Sequence, residues 1–336
     1  MRILDRLTDL SGTHRGSPKA NRRGWPWLAG LRRQPGRASI HAPLLTDEEL
    51  AEIGALAAGL PEPVRLSERL QRGEQASPFR GPGLDFEDLR PYQPGDDPRR
   101  IDWRVTARLR RPFVRVYGET RQAVTWVVVD RGPSMRFGTR ARLKAAQAAR
   151  LAALVLGGAG RAHDALALTL LDGEAHVGQP PRSGRAPLHA ALEALRAPCP
   201  PAGDTRPSQW TGVLAELELT LPQGARLWLA SDFLGLTAQD EALLERLAAR
   251  AELILCQIED ESERELPPLG RVHLQTGAGT VELDTASNAL RTAYADERES
   301  RLANLEGLAD RLRARWMTVG ADEGLPQIAT LLAGAA

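Results

Sequence analysis

Residues 123–135 read AVTWVVVDRGPSM (Ala123 to Met135), and this stretch decides the fold. The run Ala123 to Val129 is nearly continuously apolar and rich in valine. A strand with one wet face alternates polar and apolar residues, whereas a strand buried on both faces does not. Helices on both sides of a mostly parallel sheet provide that cover. The run closes on Asp130 and passes into the loop RGPSM, which places an acid at the carboxyl end of a buried strand.

Outward from this strand the pattern is a regular alternation of strands and helices. A helix is expected over about Ala141 to Leu156, with Leu143, Ala146, Ala149 and Leu151 on one side and Gly157-Gly158 ending it. Ala165 to Leu171 reads as a strand, and Asp172-Gly173 as a turn into an antiparallel edge strand. Helices follow over Pro187 to Arg196 and before Pro222, then a strand, Ala225 to Phe233, that carries Asp232 near its end. A helix over Asp240 to Arg250 leads to the strand ELILCQIED. Residues 271–284 alternate around Gly277 and Gly279 as an inserted β-hairpin. A long helix over Asn288 to Arg315, a short strand Met317 to Val319 and a helix Leu325 to Leu332 close the chain. The fold class expected is therefore α/β, a mostly parallel sheet flanked by helices with a β-hairpin inserted.

Upstream, Phe113 to Tyr117 reads as a further strand, with Gly118 to Arg121 turning toward Ala123. Leu45 to Leu60 reads as a helix with Thr46 as N-cap and Glu49 completing a capping box. Residues 1–40 carry nine basic side chains against Asp5 and Asp9, among scattered Gly, Ser and Pro, and read as a basic, flexible arm. The expected organisation is that arm, then residues 41–122 packing on the main domain, then the main domain over 123–336.

Composition excludes several classes. The formal net charge is +1 over 336 residues, so no global field draws the chain to nucleic acid or a membrane surface. The apolar runs are too short to cross a bilayer, and the amino-terminal WPWLAGL is too short for a signal core, which points to a cytoplasmic protein. Cys199 and Cys256 have no C-x-x-C partner, and the six histidines show no ligand spacing. GGAG at Gly157 to Gly160 lacks the lysine and spacing of a phosphate loop.

Chemistry in an open α/β sheet gathers at the carboxyl ends of the strands. Asp130 and Asp232 are such end positions, with the Ser134 hydroxyl close in sequence. Hard oxygen donors on short loops suit Mg²⁺. The same acids can instead cap loops and bind backbone.

The element order and these strand ends resemble the von Willebrand factor A fold, whose metal-ion-dependent adhesion site reads Asp-x-Ser-x-Ser with a threonine and an aspartate from later loops. Here the pattern is Asp130-Arg131-Gly132-Pro133-Ser134, so Gly132 replaces the first serine, Ser183 is a weak stand-in for the threonine, and Asp232 matches the last aspartate. The resemblance thus implies a degenerate site of Asp130, Ser134 and Asp232.

A longer motif narrows the family. RGPGLDFEDLRPYQPGDDPRRIDWRVTAR (Arg80 to Arg108) closely resembles the bacterial family called domain of unknown function 58, as do VVVDRGPSMRFG, PPRSGR, LASDFLG and ERELPPLG. The resemblance covers about residues 75 to 336. Its characteristic positions here are Arg80, Gly81, Asp85, Arg90, Tyr92, Pro94, Gly95, Asp96, Asp97, Arg100, Asp102 and Trp103. Members are often encoded beside MoxR-type AAA ATPases, which implies a role with such an ATPase in maturation or assembly of a client.

Physically, Tyr92 to Gly95 reads as a turn, and Pro98 holds Asp97 out of helical geometry. Asp102 falls at the start of a helix, where a carboxylate is favoured. Arg90, Arg99, Arg100 and Arg104 stand near enough to neutralise Asp96, Asp97 and Asp102, and Trp103 is expected to pack on the sheet. The motif therefore reads as structural. The leading expectation is a non-enzymatic interaction module whose crevice at Asp130, Ser134 and Asp232 receives a partner's carboxylate, through Mg²⁺ or directly. A metal-dependent hydrolase using Asp96, Asp97 or Asp102 with the strand-end acids, and a purely structural scaffold, are the alternatives.

Overall fold

The computed structural model describes residues 42–61, 84–94, 96–119, 123–139, 142–200, 208–276 and 279–334. The basic segment 1–40, with Arg80, Gly81 and Gly95, lies outside them. The described residues belong to two units, one within Met1–Pro63 and Val124–Ala336, the other within Val64–Ala123.

In the larger unit, helix α1 (Asp47–Gly59) starts at Thr46 with both bonds of the expected capping box. Of the strands in this unit, β3 (Val124–Asp130) is central, and α3 (Lys144–Arg161) follows it. Strands β4 (Ala165–Asp172) and β5 (Ala175–Arg182) form the hairpin, with Gly173 at φ +83 in its turn. Helices α4 (Arg185–Arg196) and α5 (Trp210–Thr220) lead to β6 (Arg226–Ser231). Helix α6 (Ala238–Ala248), strand β7 (Glu252–Glu259) and the short α7 (Glu261–Arg264) follow. Strands β8 (Arg271–Thr276) and β9 (Gly279–Asp284) pair with each other, and α8 (Asn288–Leu312), β10 (Arg315–Gly320) and α9 (Leu325–Gly334) complete the unit.

The main sheet runs β10-β7-β6-β3-β4-β5, parallel except for β5. Alternate side chains of β3 explain its apolar run. Val127 and Val129 enter a core with α1, α3, α4 and α9, while Trp126 and Val128 enter a second core with α5, α6 and α8. Burying each such side chain contributes about 1.5–3 kcal/mol before the entropy of ordering is subtracted.

One expectation is corrected: α3 runs through Gly157 and Gly158 to Arg161. These glycines are not a stop but a contact: a Cβ on Gly157 would meet the Ala57 Cβ at 2.9 Å, and one on Gly158 the Leu60 Cδ1 at 3.3 Å. They allow α1 to lie close against α3. The expected hairpin over 271–284 forms as β8–β9, a two-stranded sheet of its own, packed through Leu283 and Val272 on Leu290 of α8. The expected Phe113 strand also forms. As β2 (Phe113–Glu119) it pairs antiparallel with β1 (Leu84–Pro91) in the smaller unit, which also holds α2 (Trp103–Leu109).

Candidate functional site

The chain leaves β3 toward β4 on one side and returns to place β6 on the other, so the carboxyl ends of β3 and β6 flank a topological switch point. Asp130 ends β3, and Asp232 follows Ser231 at the end of β6.

Both Asp130 oxygens are engaged. Oδ1 accepts from the Gly132 N–H at 2.8 Å and the Ser208 hydroxyl at 2.5 Å, and Oδ2 accepts from the Ser231 hydroxyl at 2.6 Å. Burial, joined by the negative charge of Asp232, pushes the Asp130 carboxyl up to about 6 against these three donors. Asp232 lies under a different influence. The Lys144 ammonium, on the first residue of α3, donates to Asp232 Oδ2 at 2.9 Å and to Glu263 Oε1 of α7 at 2.7 Å. Burial alone would raise Asp232, but the Lys144 charge and hydrogen bond outweigh it and hold the carboxyl below its usual range. Burial likewise works against a charged lysine, and Asp232 and Glu263 more than offset it, raising the Lys144 pKa.

The missing hydroxyl has a physical explanation. A Cβ on Gly132 would fall on Ser208 Oγ, far inside van der Waals contact. Ser208, from the loop before α5, thus fills the space where a side chain at 132 would stand and bonds Asp130 in its stead. Ser183 is elsewhere: it follows Arg182, which pairs with Leu166 near the start of β4, at the opposite end of the sheet from Asp130. Ser134 Oγ is buried close to Asp232 and favours its charge. Asp130, Asp232 and Lys144 are all buried, so no partner carboxylate reaches them in this arrangement.

In the smaller unit the motif acids organise their own loop. Arg90 clamps Asp96 through two bonds of 2.8 and 2.6 Å. The turn is Gln93 to Asp96, one residue later than read, closed by Asp96 N–H to Gln93 O with Pro94 in its second position. Tyr92 N–H bonds Pro112 O. Asp97 is extended (φ −67, ψ 115) and accepts the Arg99 N–H, and Asp102 accepts the Arg104 and Val105 N–H groups as the N-cap of α2. Arg99 and Arg104 therefore meet these acids through their main chain. Arg100 closes the short 3-10 turn after Pro98, and Asp85 pairs with Gly118 in the β1–β2 ladder.

Trp103 does not pack as expected: it is 67% exposed, and α2 buries no residue. The helix is only seven residues long and is held at its start by the Asp102 cap and at its middle by Phe113 N–H to Thr106 Oγ1 at 3.0 Å. That anchoring leaves its outer side free of packing.

A family model described as "Protein of unknown function DUF58" matches residues 88–303, well over half of the chain. The chain belongs to this family. An uncharacterized protein of Mycobacterium tuberculosis, Rv1480, is 32% identical to it over 273 residues, covering 77% of this chain and 82% of its own length. Its Mycobacterium bovis counterpart Mb1516 matches at the same level. Among solved structures, the conserved hypothetical protein BatB from Bacteroides thetaiotaomicron aligns with a TM-score of 0.43 at 10% identity, over 64% of this chain and 100% of that one. The SpRpn10 VWA domain aligns with a TM-score of 0.33 at 11% identity, over 64% and 95%. Within the DUF58 match lie the switch-point residues and the motif from Asp88 onward; Arg80, Gly81 and Asp85 precede it.

The crevice of this DUF58 chain does not suit a divalent cation. Among the described residues no three His, Cys, Asp or Glu side chains converge as a metal cluster. Asp232 is already held by an ammonium, and Asp130 faces three hydrogen-bond donors. Lys144, Ser208, Ser231 and Glu263 were not singled out from sequence. Lys144 sits in an ordinary amphipathic helix, Ser208 lies outside every quoted motif, and Ser231 lies in LASDFLG without a role that its position suggested. One signal existed for Lys144: it is one of only two lysines in a chain otherwise built with arginine. Among the described residues no helix is long and apolar enough to cross a membrane.

Proposed function

We propose that this chain is a non-enzymatic interaction module that works with a MoxR-type AAA ATPase in maturation or assembly of a client protein. The observation that carries the reading is α2, a helix inside the family motif with no buried residue. Trp103 is 67% exposed and Leu109 52% exposed on it, amid exposed Arg99, Arg104, Arg108, Arg110 and Arg111. Aromatic residues and arginine are the side chains that most often anchor protein interfaces. Arginines in this number favour a partner surface rich in carboxylates. The strand-end acids, by contrast, are occupied by internal donors, which argues against their use as a general acid, base or nucleophile.

The test is affinity purification of the tagged full chain from its own cells, with Mg²⁺ and non-hydrolysable ATP. Enrichment of a MoxR-type ATPase that is lost on Trp103→Ala with Arg108→Glu supports the reading. Purification that brings down no AAA ATPase overturns it.

A further inference from the structure

We infer that the Lys144 ammonium is the resident cation of the switch-point crevice, held between Asp232 and Glu263 where a divalent ion would otherwise draw on Asp232. Lysine is an unfavourable choice at this position by local rules. It is the first residue of α3, where the helix dipole and the unpaired N–H groups already favour negative charge. Its side chain is also 0% exposed, which penalises an ammonium further. Only the two flanking carboxylates, at 2.9 and 2.7 Å, make that placement stable. The geometry is that of a built ion site whose ion is covalently attached to the chain.

The rest of the crevice agrees with a fixed ammonium. Ser208 and Ser231 turn their hydroxyl protons toward Asp130, a hydrogen-bonded arrangement that needs no metal to bring these oxygens together. Ser134 Oγ, the remaining hydroxyl of the Asp-x-Gly-x-Ser stretch, is buried beside Asp232 and helps hold that carboxylate charged. A divalent ion sharing Asp232 with Lys144 would place two positive centres on one carboxylate in a buried site, where repulsion is least screened. Lys144 also links the crevice to α7, because Glu263 closes the capping box on Asp260, whose carboxylate holds Thr139 of the loop before α3. One ammonium thus joins the end of β6 to the segment beyond β7. The inference concerns the crevice alone and does not depend on the adaptor reading.

Titration of the full chain with Mn²⁺, followed by electron paramagnetic resonance of the free ion, tests it. The wild type is expected to bind no Mn²⁺ at this site, so that Ser134→Ala changes nothing. Lys144→Ala, which vacates the cation position, is expected to gain at least tenfold in Mn²⁺ affinity, and Ser134→Ala added to it to reverse the gain. Mn²⁺ binding by the wild type that disappears on Ser134→Ala overturns the inference, as does a folded Lys144→Ala that binds no better than the wild type. Should Lys144→Ala fail to fold, the wild-type titration with its Ser134→Ala control decides alone: silence upholds the inference and site-specific binding overturns it.

Discussion

The Lys144 ammonium lies 2.9 Å from the Asp232 carboxylate with neither side chain open to solvent. Breaking a buried pair from one side leaves the other charge stranded, which costs about 3–5 kcal/mol. Lys144→Met is therefore expected to lower the unfolding free energy by that amount, read in chelator as a lower urea midpoint with the slope unchanged. Adding Asp232→Leu removes the stranded carboxylate and is expected to restore more than half of the loss. A double variant no more stable than the single one would show that the pair itself is not the source.

Asp130 makes stability depend on pH in the direction opposite to most acids. Its carboxyl stands at about 6 in the folded chain against an ordinary 3.8, so the native state binds this proton more tightly than the unfolded one. The stabilisation is complete below the ordinary value and is lost as pH rises through 6, by on the order of 3 kcal/mol. Asp232, held low, runs the other way: its contribution is present above the ordinary range and disappears on acidification. Asp130→Asn deletes only the first dependence. Its stability relative to wild type should therefore improve between pH 4.5 and 7.5 by urea denaturation, and a constant difference would refute the assignment.

Gly132 and Ser208 share one volume. Gly132→Ser is expected to lose about 1–3 kcal/mol through overpacking against Ser208 Oγ. Ser208→Gly in the same chain should recover much of this, because the hydroxyl then reaches Asp130 from position 132. Thermal unfolding of the two single variants and the double variant checks the exchange, and additive losses would contradict it.

Two helix glycines separate propensity from packing. Gly54 of α1 has nothing within 4 Å of an added Cβ, so Gly54→Ala is expected to stabilise by about 0.8–1 kcal/mol. Gly157 of α3 has the Ala57 Cβ at 2.9 Å, so Gly157→Ala should show no such gain in the wild type and should show it only when introduced into, and compared with, the Ala57→Gly variant. Equal gains at both positions would mean that α1 does not lie against α3 as described.

The same contrast explains what was legible in the sequence. The apolar run before Asp130, the capping box at Thr46 and the turn after Asp172 are local patterns, and each element formed where its pattern stood. Gly157-Gly158 misled because a glycine pair signals a helix end by itself, whereas here its cause is a second helix far away in sequence. The strand-end acids were visible as positions. Their partners were not, since Ser208 is 78 residues from Asp130 and Lys144 is 88 from Asp232, and no spacing rule joins such pairs. Trp103 was expected to pack because large aromatic residues usually do; a seven-residue helix tied by its cap and by Thr106 leaves it outside.

The central claim is that the chain works through its motif face and not through its strand-end acids. It is tested most directly by placing a photo-crosslinking amino acid at position 103 in living cells, with position 219, where Leu219 is 85% exposed on α5, as the control. A discrete adduct with a MoxR-type ATPase is expected from position 103 and none from 219. The same adduct from both positions, or none from 103 while the ATPase is present, would contradict it.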